Sequence, residues 1–339
     1  MSKWTSKVAA ILLCLQAVGA NSAERSPDLP DPVTPAWSAK EVGTRLVLLG
    51  TGGGPILTAR SQPASLLVVD GRPYLIDCGA GTLRQLKAAG FGAFDIGRIF
   101  LTHLHFDHTA DLASVFAFNW IANDRQPVDI FGPPGTEALV KRGLDYFSIS
   151  EDIYSAQFPP HPTMAQNTRG HDISVSGPQL IYQDDKIKVL AIENSHYSTL
   201  KMPKPFYGAL KSYSYRIETP HRTIIFTGDT GPSQGLAELA RGADILVSEV
   251  INVGAMIGVL KEKFQTSDEK LEPLAEHMRK EHLTPEEVGR LAAAAGVKMV
   301  VLSHLAPGSD TERDSLAYVE GVRRTFSGTV VAGKDLSEF

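Results

Sequence analysis

Three histidines and an aspartate fall within six residues in the run Thr102-His103-Leu104-His105-Phe106-Asp107-His108, directly after an apolar segment. Neutral imidazole and carboxylate are the ligands zinc prefers where thiolate is absent, and such sites also accept Mn²⁺ or Fe²⁺. With ten histidines in 339 residues, a run this dense fits a chance surface cluster poorly. A strand ending here would fix the loop and let alternate side chains converge on one centre. Three single residues share that placement. His196 follows the run 187–192, Asp229 follows 223–226 in Thr227-Gly228-Asp229-Thr230, and His304 follows 299–302 in Ser303-His304-Leu305. Each lies where an apolar run stops, the usual place for a site grafted on a layered α/β fold. Alone, each histidine reads as a structural or surface residue, and Asp229 as a turn residue beside Gly228. Beside the first cluster they read as its remaining ligands.

The elements that must hold these residues alternate along the chain. Strand patterns lie at 44–49, 65–69, 74–76, 98–101, 128–131, 187–192, 212–217, 223–226, 244–248, 299–302 and 329–331. Helical patterns fit 82–89, 113–121, 136–147, 235–241, 285–295 and 311–326. Asp70-Gly71 marks a hairpin turn. Thr284, Pro285 and Glu287 supply an N-cap, an N1 proline and an N3 acid, a strong helix start. Hairpins mixed with helices predict a layered α/β fold rather than a simple doubly wound sheet. Residues 148–186, with Pro159, Pro160 and Pro162, are the least regular and read as a lid or insertion.

The N-terminus reads as a targeting segment. Lys3 and Lys7 precede an 11-residue apolar run, 8–18, and small residues follow it. This is the pattern of a secretory signal peptide, residues 1–20, with Ala23 as the other candidate cleavage point. The run is shorter than the roughly 20 residues a membrane-spanning helix needs, so no stable membrane anchor is expected. Leu13 before Cys14 does not suit a lipid attachment site. Residues 21–43 hold four prolines and read as an extended lead-in, which leaves 44–339 as the folded domain of a periplasmic or secreted protein. Only Cys78 survives cleavage, so no intrachain disulfide is expected. Removing two lysines from 33 basic residues, against 38 acidic ones, leaves a mature net charge of -7. That balance argues against a nucleic-acid partner bound through bulk charge.

The pattern His-x-His-x-Asp-His, then a histidine, Gly-Asp-Thr and a late Ser-His resembles the metallo-β-lactamase superfamily. Leu48-Leu49-Gly50-Thr51-Gly52, Asp77-Cys78-Gly79-Ala80-Gly81-Thr82, Phe131-Gly132-Pro133-Pro134-Gly135 and Glu281-His282-Leu283-Thr284 resemble its ribonuclease Z-like and arylsulfatase-like branch. The resemblance runs from about residue 44 to 335. It implies a four-layer αβ/βα sandwich of two mixed sheets flanked by helices. It also implies two zinc ions, one held by His103, His105 and His196 and the other by Asp107, His108 and His304, with Asp229 between them. Asp77 would steady the ligand loops. A hydroxide shared by the metals would be the nucleophile, with Asp107 able to accept its proton. His282, in the branch's His-x-Thr motif, would be the general acid. His161, His171, His221 and His277 read as surface or lid residues.

The chain departs from tRNA-processing members of that branch. Their protruding arm is missing, because only residues 197–211 separate His196 from the next strand, and Ala80 replaces a common acid. With the leader and the net charge, this predicts an exported hydrolase of a small anionic ester, a phosphodiester or arylsulfate, rather than a tRNA endonuclease. A β-lactam or lactone hydrolase, a ribonuclease Z-type tRNA 3′ endonuclease and a non-catalytic metal-binding protein are the alternatives. A homodimer is an expectation from the family alone.

Overall fold

Alternation along the first strand sets the layers. In β1 (Thr44–Gly50) Leu46 and Leu48 enter one buried cluster, while Val47 and Leu49 enter another. Successive strand side chains face opposite ways, so both faces of this strand are covered. The structure, a computed structural model, describes residues 42–54, 58–121, 127–157, 162–308 and 312–339. The expected signal segment, and the lead-in as far as residue 41, lie outside the described residues. No described helix is long and apolar enough to cross a membrane.

β1 pairs antiparallel with β2 (Ala64–Val69), which turns through Asp70-Gly71 into β3 (Arg72–Ile76). Then come α1 (Thr82–Ala88), β4 (Arg98–Phe100), α2 (Leu112–Ile121), β5 (Val128–Gly132), α3 (Thr136–Gln157), α4 (Met164–Asn167) and β6 (Thr168–Asp172). β3 to β6 run parallel, giving a first sheet of order β1-β2-β3-β4-β5-β6. The second sheet opens with an antiparallel set, β7 (Gln179–Gln183), β8 (Lys188–Glu193), β9 (Tyr213–Glu218) and β10 (Thr223–Phe226). It continues through α5 (Gln234–Leu239), β11 (Ile245–Ile251), α6 (Val253–Phe264), α7 (Asp268–Glu281), α8 (Pro285–Ala295), β12 (Met299–Ala306), α9 (Glu312–Arg323) and β13 (Thr329–Ala332). Here β10 to β13 are parallel, in the order β13-β12-β11-β10-β9-β8-β7.

Leu46, Leu48, Tyr74 and Phe100 of the first sheet meet Val189, Tyr215, Ile224 and Val247 of the second in one buried cluster. Helices α1 and α2 cover the other face of the first sheet through Leu86, Val115 and Phe116. Helices α5, α8 and α9 cover the other face of the second through Leu236, Val288 and Val322. The result is the expected helix-sheet-sheet-helix sandwich of two mixed sheets.

Three expectations change. Residues 148–186 are not a lid, because the end of α3, α4, β6 and β7 lie there. β6 and β7 are edge strands, and β6 reads Thr-Arg-Gly-His-Asp. Edge strands carry polar side chains, so the apolar alternation that marks an inner strand is missing. Pro159, Pro160 and His161 lie outside the described residues. Helices α6 and α7 stand where no element is expected. β12 runs four residues past its expected end, so His304 lies within the strand rather than after it.

Candidate metal centre

Asp77, one residue past β3, organises the first ligand loop. Its carboxylate accepts the Thr102 backbone N–H at 2.8 Å and the Thr102 hydroxyl at 2.9 Å. It also pairs with His108 Nδ1 at 2.9 Å. An imidazole that donates Nδ1–H to a carboxylate presents its Nε2 lone pair on the far side. Residues Phe106–His108 form a single tight 3₁₀ turn that buries Asp107 and His108 and leaves His105 and Phe106 exposed. Asp77 (φ 58°) and His304 (φ 45°) both hold left-handed backbone. Such conformations are costly for non-glycine residues and gather at functional sites. Gly53 makes room for His304, because a Cβ there would lie 2.5 Å from His304 Nδ1.

Three ring nitrogens converge at one end of the cluster. His105 Nδ1 lies 3.1 Å from His103 Nε2 and 3.2 Å from His196 Nε2. His196 Nδ1 is fixed by the Glu281 carbonyl at 3.1 Å, which turns Nε2 inward. The one proton that His105 Nδ1 has to give would be shared between two acceptors, whereas a cation can accept all three lone pairs. At the other end, Asp107 Oδ2 lies 3.6 Å from His304 Nε2 and 3.9 Å from His108 Nε2. Asp229 stands between the two groups. Its Oδ2 is 3.1 Å from His304, 3.8 Å from His196 and 3.9 Å from His103, and its Oδ1 is 3.4 Å from His108. His108 Nε2, Asp229 Oδ1 and both His304 nitrogens are buried without a hydrogen-bond partner. Buried polar atoms rarely go unpaired. This donor set fits divalent metal.

The electrostatics agree with the geometry. Burial pushes His103 well down and His196 down to about 3, which keeps both rings neutral and fit to ligate. Burial opposes protonation of His108 and His304 too, but the charges and hydrogen bonds of the neighbouring carboxylates, Asp229 first among them, together outweigh it and lift both. Asp229 itself stays ionised, because His304 and His108 overcome the cost of its burial. Divalent cations would supply the positive charge that protons supply here.

His282 lies beside the cluster, half-buried, with Nδ1 4.0 Å from Asp229 Oδ2. Its firm partner is Glu249, whose Oε2 takes His282 Nδ1 at 2.8 Å and whose Oε1 accepts the Thr230 N–H at 2.7 Å. Burial lowers the His282 pKa, but the charge and hydrogen bond of Glu249 carry it above the ordinary value. Glu249 is absent from the sequence reading. Its signal is a lone acid in the fully buried strand Ile-Leu-Val-Ser-Glu-Val-Ile, which must have a reason to be there. His171 and His221 pair with Asp129 and Asp70 away from the cluster. His277, expected on the surface or a lid, instead lines the cavity that opens over the cluster.

Residues 72–305 match the beta-lactamase superfamily domain. A ribonuclease Z from Mycolicibacterium paratuberculosis is 31% identical over 303 residues, which are 86% of this chain and 96% of the relative. Among solved structures, the metallo-beta-lactamase fold protein YhfI from Bacillus subtilis superposes with a TM-score of 0.59 at 19% identity, over 87% of this chain and 98% of YhfI. The short form of human tRNase Z superposes at 0.58 and 22% identity, over 87% and 98%. Fold and site together define a metal-dependent hydrolase of metallo-β-lactamase fold. Within that superfamily the chain belongs to the ribonuclease Z-like branch.

Two expectations are overturned by these relatives. One is a small anionic ester as the substrate, and the other is that a nucleic-acid partner is unlikely. Ribonuclease Z relatives align along 96% of their own length, so their reaction does not reside in a large piece that this chain lacks. The physical error is in the use of net charge. Net charge sums the whole surface, whereas phosphate recognition is local. The loop after His196 carries exposed Lys201 and Lys204, and Arg142 of α3 lies 5.0 Å from the exposed Phe206 ring of the same loop.

Proposed function

We propose that this chain is an endonuclease of the ribonuclease Z type that hydrolyses a phosphodiester bond near the 3′ end of tRNA. The observation that carries the reading is the near end-to-end match to ribonuclease Z. In this reading His103, His105 and His196 hold one zinc, and Asp107, His108 and His304 hold the second, with Asp229 shared. When bound, the two ions would activate water and neutralise charge on the phosphoryl oxygens.

The chain's own residues do the rest. A sugar oxygen is a poor leaving group and needs a proton as its bond to phosphorus breaks. His282 is the donor. Glu249 occupies Nδ1 at 2.8 Å, so Nε2 is the nitrogen free to deliver that proton. The charge and hydrogen bond of Glu249 favour the protonated form of the ring. Asp77 ties Thr102 and His108 to one carboxylate and so holds the ligand loop in a fixed geometry.

The test is a precursor tRNA with a 3′ extension, offered to zinc-loaded protein whose metal content is measured by elemental analysis. Release of the extension by a single cut, absent with Asp229→Ala, is the expected result. Protein that holds two zincs per chain and leaves the precursor intact would overturn the reading.

A further inference from the structure

The cavity over the metal cluster, about 290 Å³, has two unlike sides. Its floor is the ligand cluster and His282. Its outer wall is Phe106 on one side and Met256, Leu274 and Met278 of α6 and α7 on the other. Phe106 is 63% exposed and Leu274 39% exposed. A cleft that handled only a phosphate group would have no use for open apolar surface beside charged groups. The volume is at the low end for a small-molecule site, so it suits one ring system rather than a stretch of strand. Methionine sulfur and an aromatic edge are well matched to the faces of a planar ring.

One wall residue is built for hydrogen bonding. His277 Nδ1 lies 3.2 Å from the Thr199 hydroxyl oxygen and 3.4 Å from Glu281 Oε2. Glu281 is buried, and its carboxylate also accepts the Thr199 N–H at 2.8 Å. Its own carbonyl accepts from His196 Nδ1. One glutamate thus anchors the wall histidine, the loop after His196 and a floor histidine. With Nδ1 held, His277 has Nε2 to offer to an occupant.

We propose that this wall is a subsite for the nucleobase next to the scissile phosphate. Phe106, Leu274 and Met278 hold the faces of the base, and His277 bonds its polar edge or the sugar hydroxyl. The inference rests on the RNA reading above, because a nucleotide is the ligand that joins a planar ring with a polar edge to a phosphate.

Two measurements test it. The first is calorimetric binding of uridine 5′-monophosphate and of ribose 5-phosphate to zinc-loaded wild-type protein. The nucleotide should bind about ten-fold tighter, since stacking on apolar and aromatic side chains is what the sugar phosphate lacks. Leu274→Ala/Met278→Ala should erase that preference with zinc content unchanged. The second is cleavage of precursor tRNA carrying an abasic residue on either side of the scissile bond. One of the two should lose about ten-fold in kcat/KM, and His277→Ala should raise KM more than it lowers kcat. Equal binding of the two ligands, or abasic substrates cut as fast as intact ones, would overturn the subsite. Precursor left uncut while the nucleotide preference holds would overturn the tRNA reading and keep the subsite.

Discussion

The floor and the outer wall of the cavity are built by opposite means. Most of the floor hangs on β4, β10 and β12, each hydrogen-bonded to a strand on both sides, while His196 follows β8 and His282 ends α7. Buried clusters lie against both faces of these sheets. The wall is a helical hairpin, α6 and α7, with its own small cluster around Met256, Leu260 and Leu271 and with Pro273 inside α7. Helices that pack through few residues open at lower cost than inner strands. Bond-breaking chemistry tolerates little displacement and sits on the rigid element. Selection of a substrate tolerates variation and sits on the element that is free to change.

If the floor is a unit, removing its shared member should do the most damage. Asp229→Ala is expected to lower turnover by about 10³-fold or more, beyond the loss of a single oxyanion hydrogen bond, and to lower metal content. Full activity in Asp229→Ala protein would break the comparison at its root. Glu249→Gln comes next, with a loss of about 10²-fold in kcat and unchanged metal content. Its signature is in the pH profile. Burial lowers the His282 pKa, and the charge and hydrogen bond of Glu249, together with the Asp229 charge, raise it past the ordinary value. Neutralising Glu249 lets it fall, so the alkaline limb of kcat/KM should move to lower pH. Stability has the same sign. A raised histidine contributes fully below its unfolded value, about 6.5, and loses that contribution as pH climbs through the folded value. Glu249→Gln should therefore narrow the gap between acid and neutral stability seen in wild-type denaturant curves.

Asp77→Asn probes how the floor is fixed. Asparagine can still accept from Thr102 but lacks the charge that orients His108. Metal affinity should fall by about 10- to 100-fold, the usual size for a partner that orients a ligand. A competition titration with a chelator reads this directly, and unchanged affinity would mean that the His108 ring is held by packing alone.

The two regions also differ in how far the sequence reveals them. His103, His105, Asp107, His108, His196, Asp229 and His304 stand out because rare residue types recur where apolar runs stop. Sheet layering is legible for the same reason, since inner strands such as β2 and β10 are mostly apolar. Edge strands β6 and β7 are not legible, because one side of each meets water and polar residues serve there. The hairpin is not legible either. Its apolar residues do recur at helical spacing, as Leu271, Leu274, Ala275 and Met278 in α7, but Pro273 and the charged residues between them hide the stripe. Glu249 and His277 gain meaning only from partners 33 and 78 residues away.

The smallest expected effect separates the two regions by their stability. Leu48 is fully buried between the sheets, and Leu48→Ala should cost about 2–5 kcal/mol of global stability. Leu271 is buried only within the hairpin cluster. Its cluster meets the sandwich through Ile251 and Ala306, at the ends of β11 and β12, so the cost of Leu271→Ala should appear mainly locally. Amide hydrogen exchange should speed up about ten-fold or more along α6 and α7, equivalent to roughly 1.4 kcal/mol, while β4, β10 and β12 keep their wild-type protection. Equal acceleration in the strands would show that the hairpin and the sandwich unfold as one cooperative unit. The cavity wall would then be no freer to change than its floor.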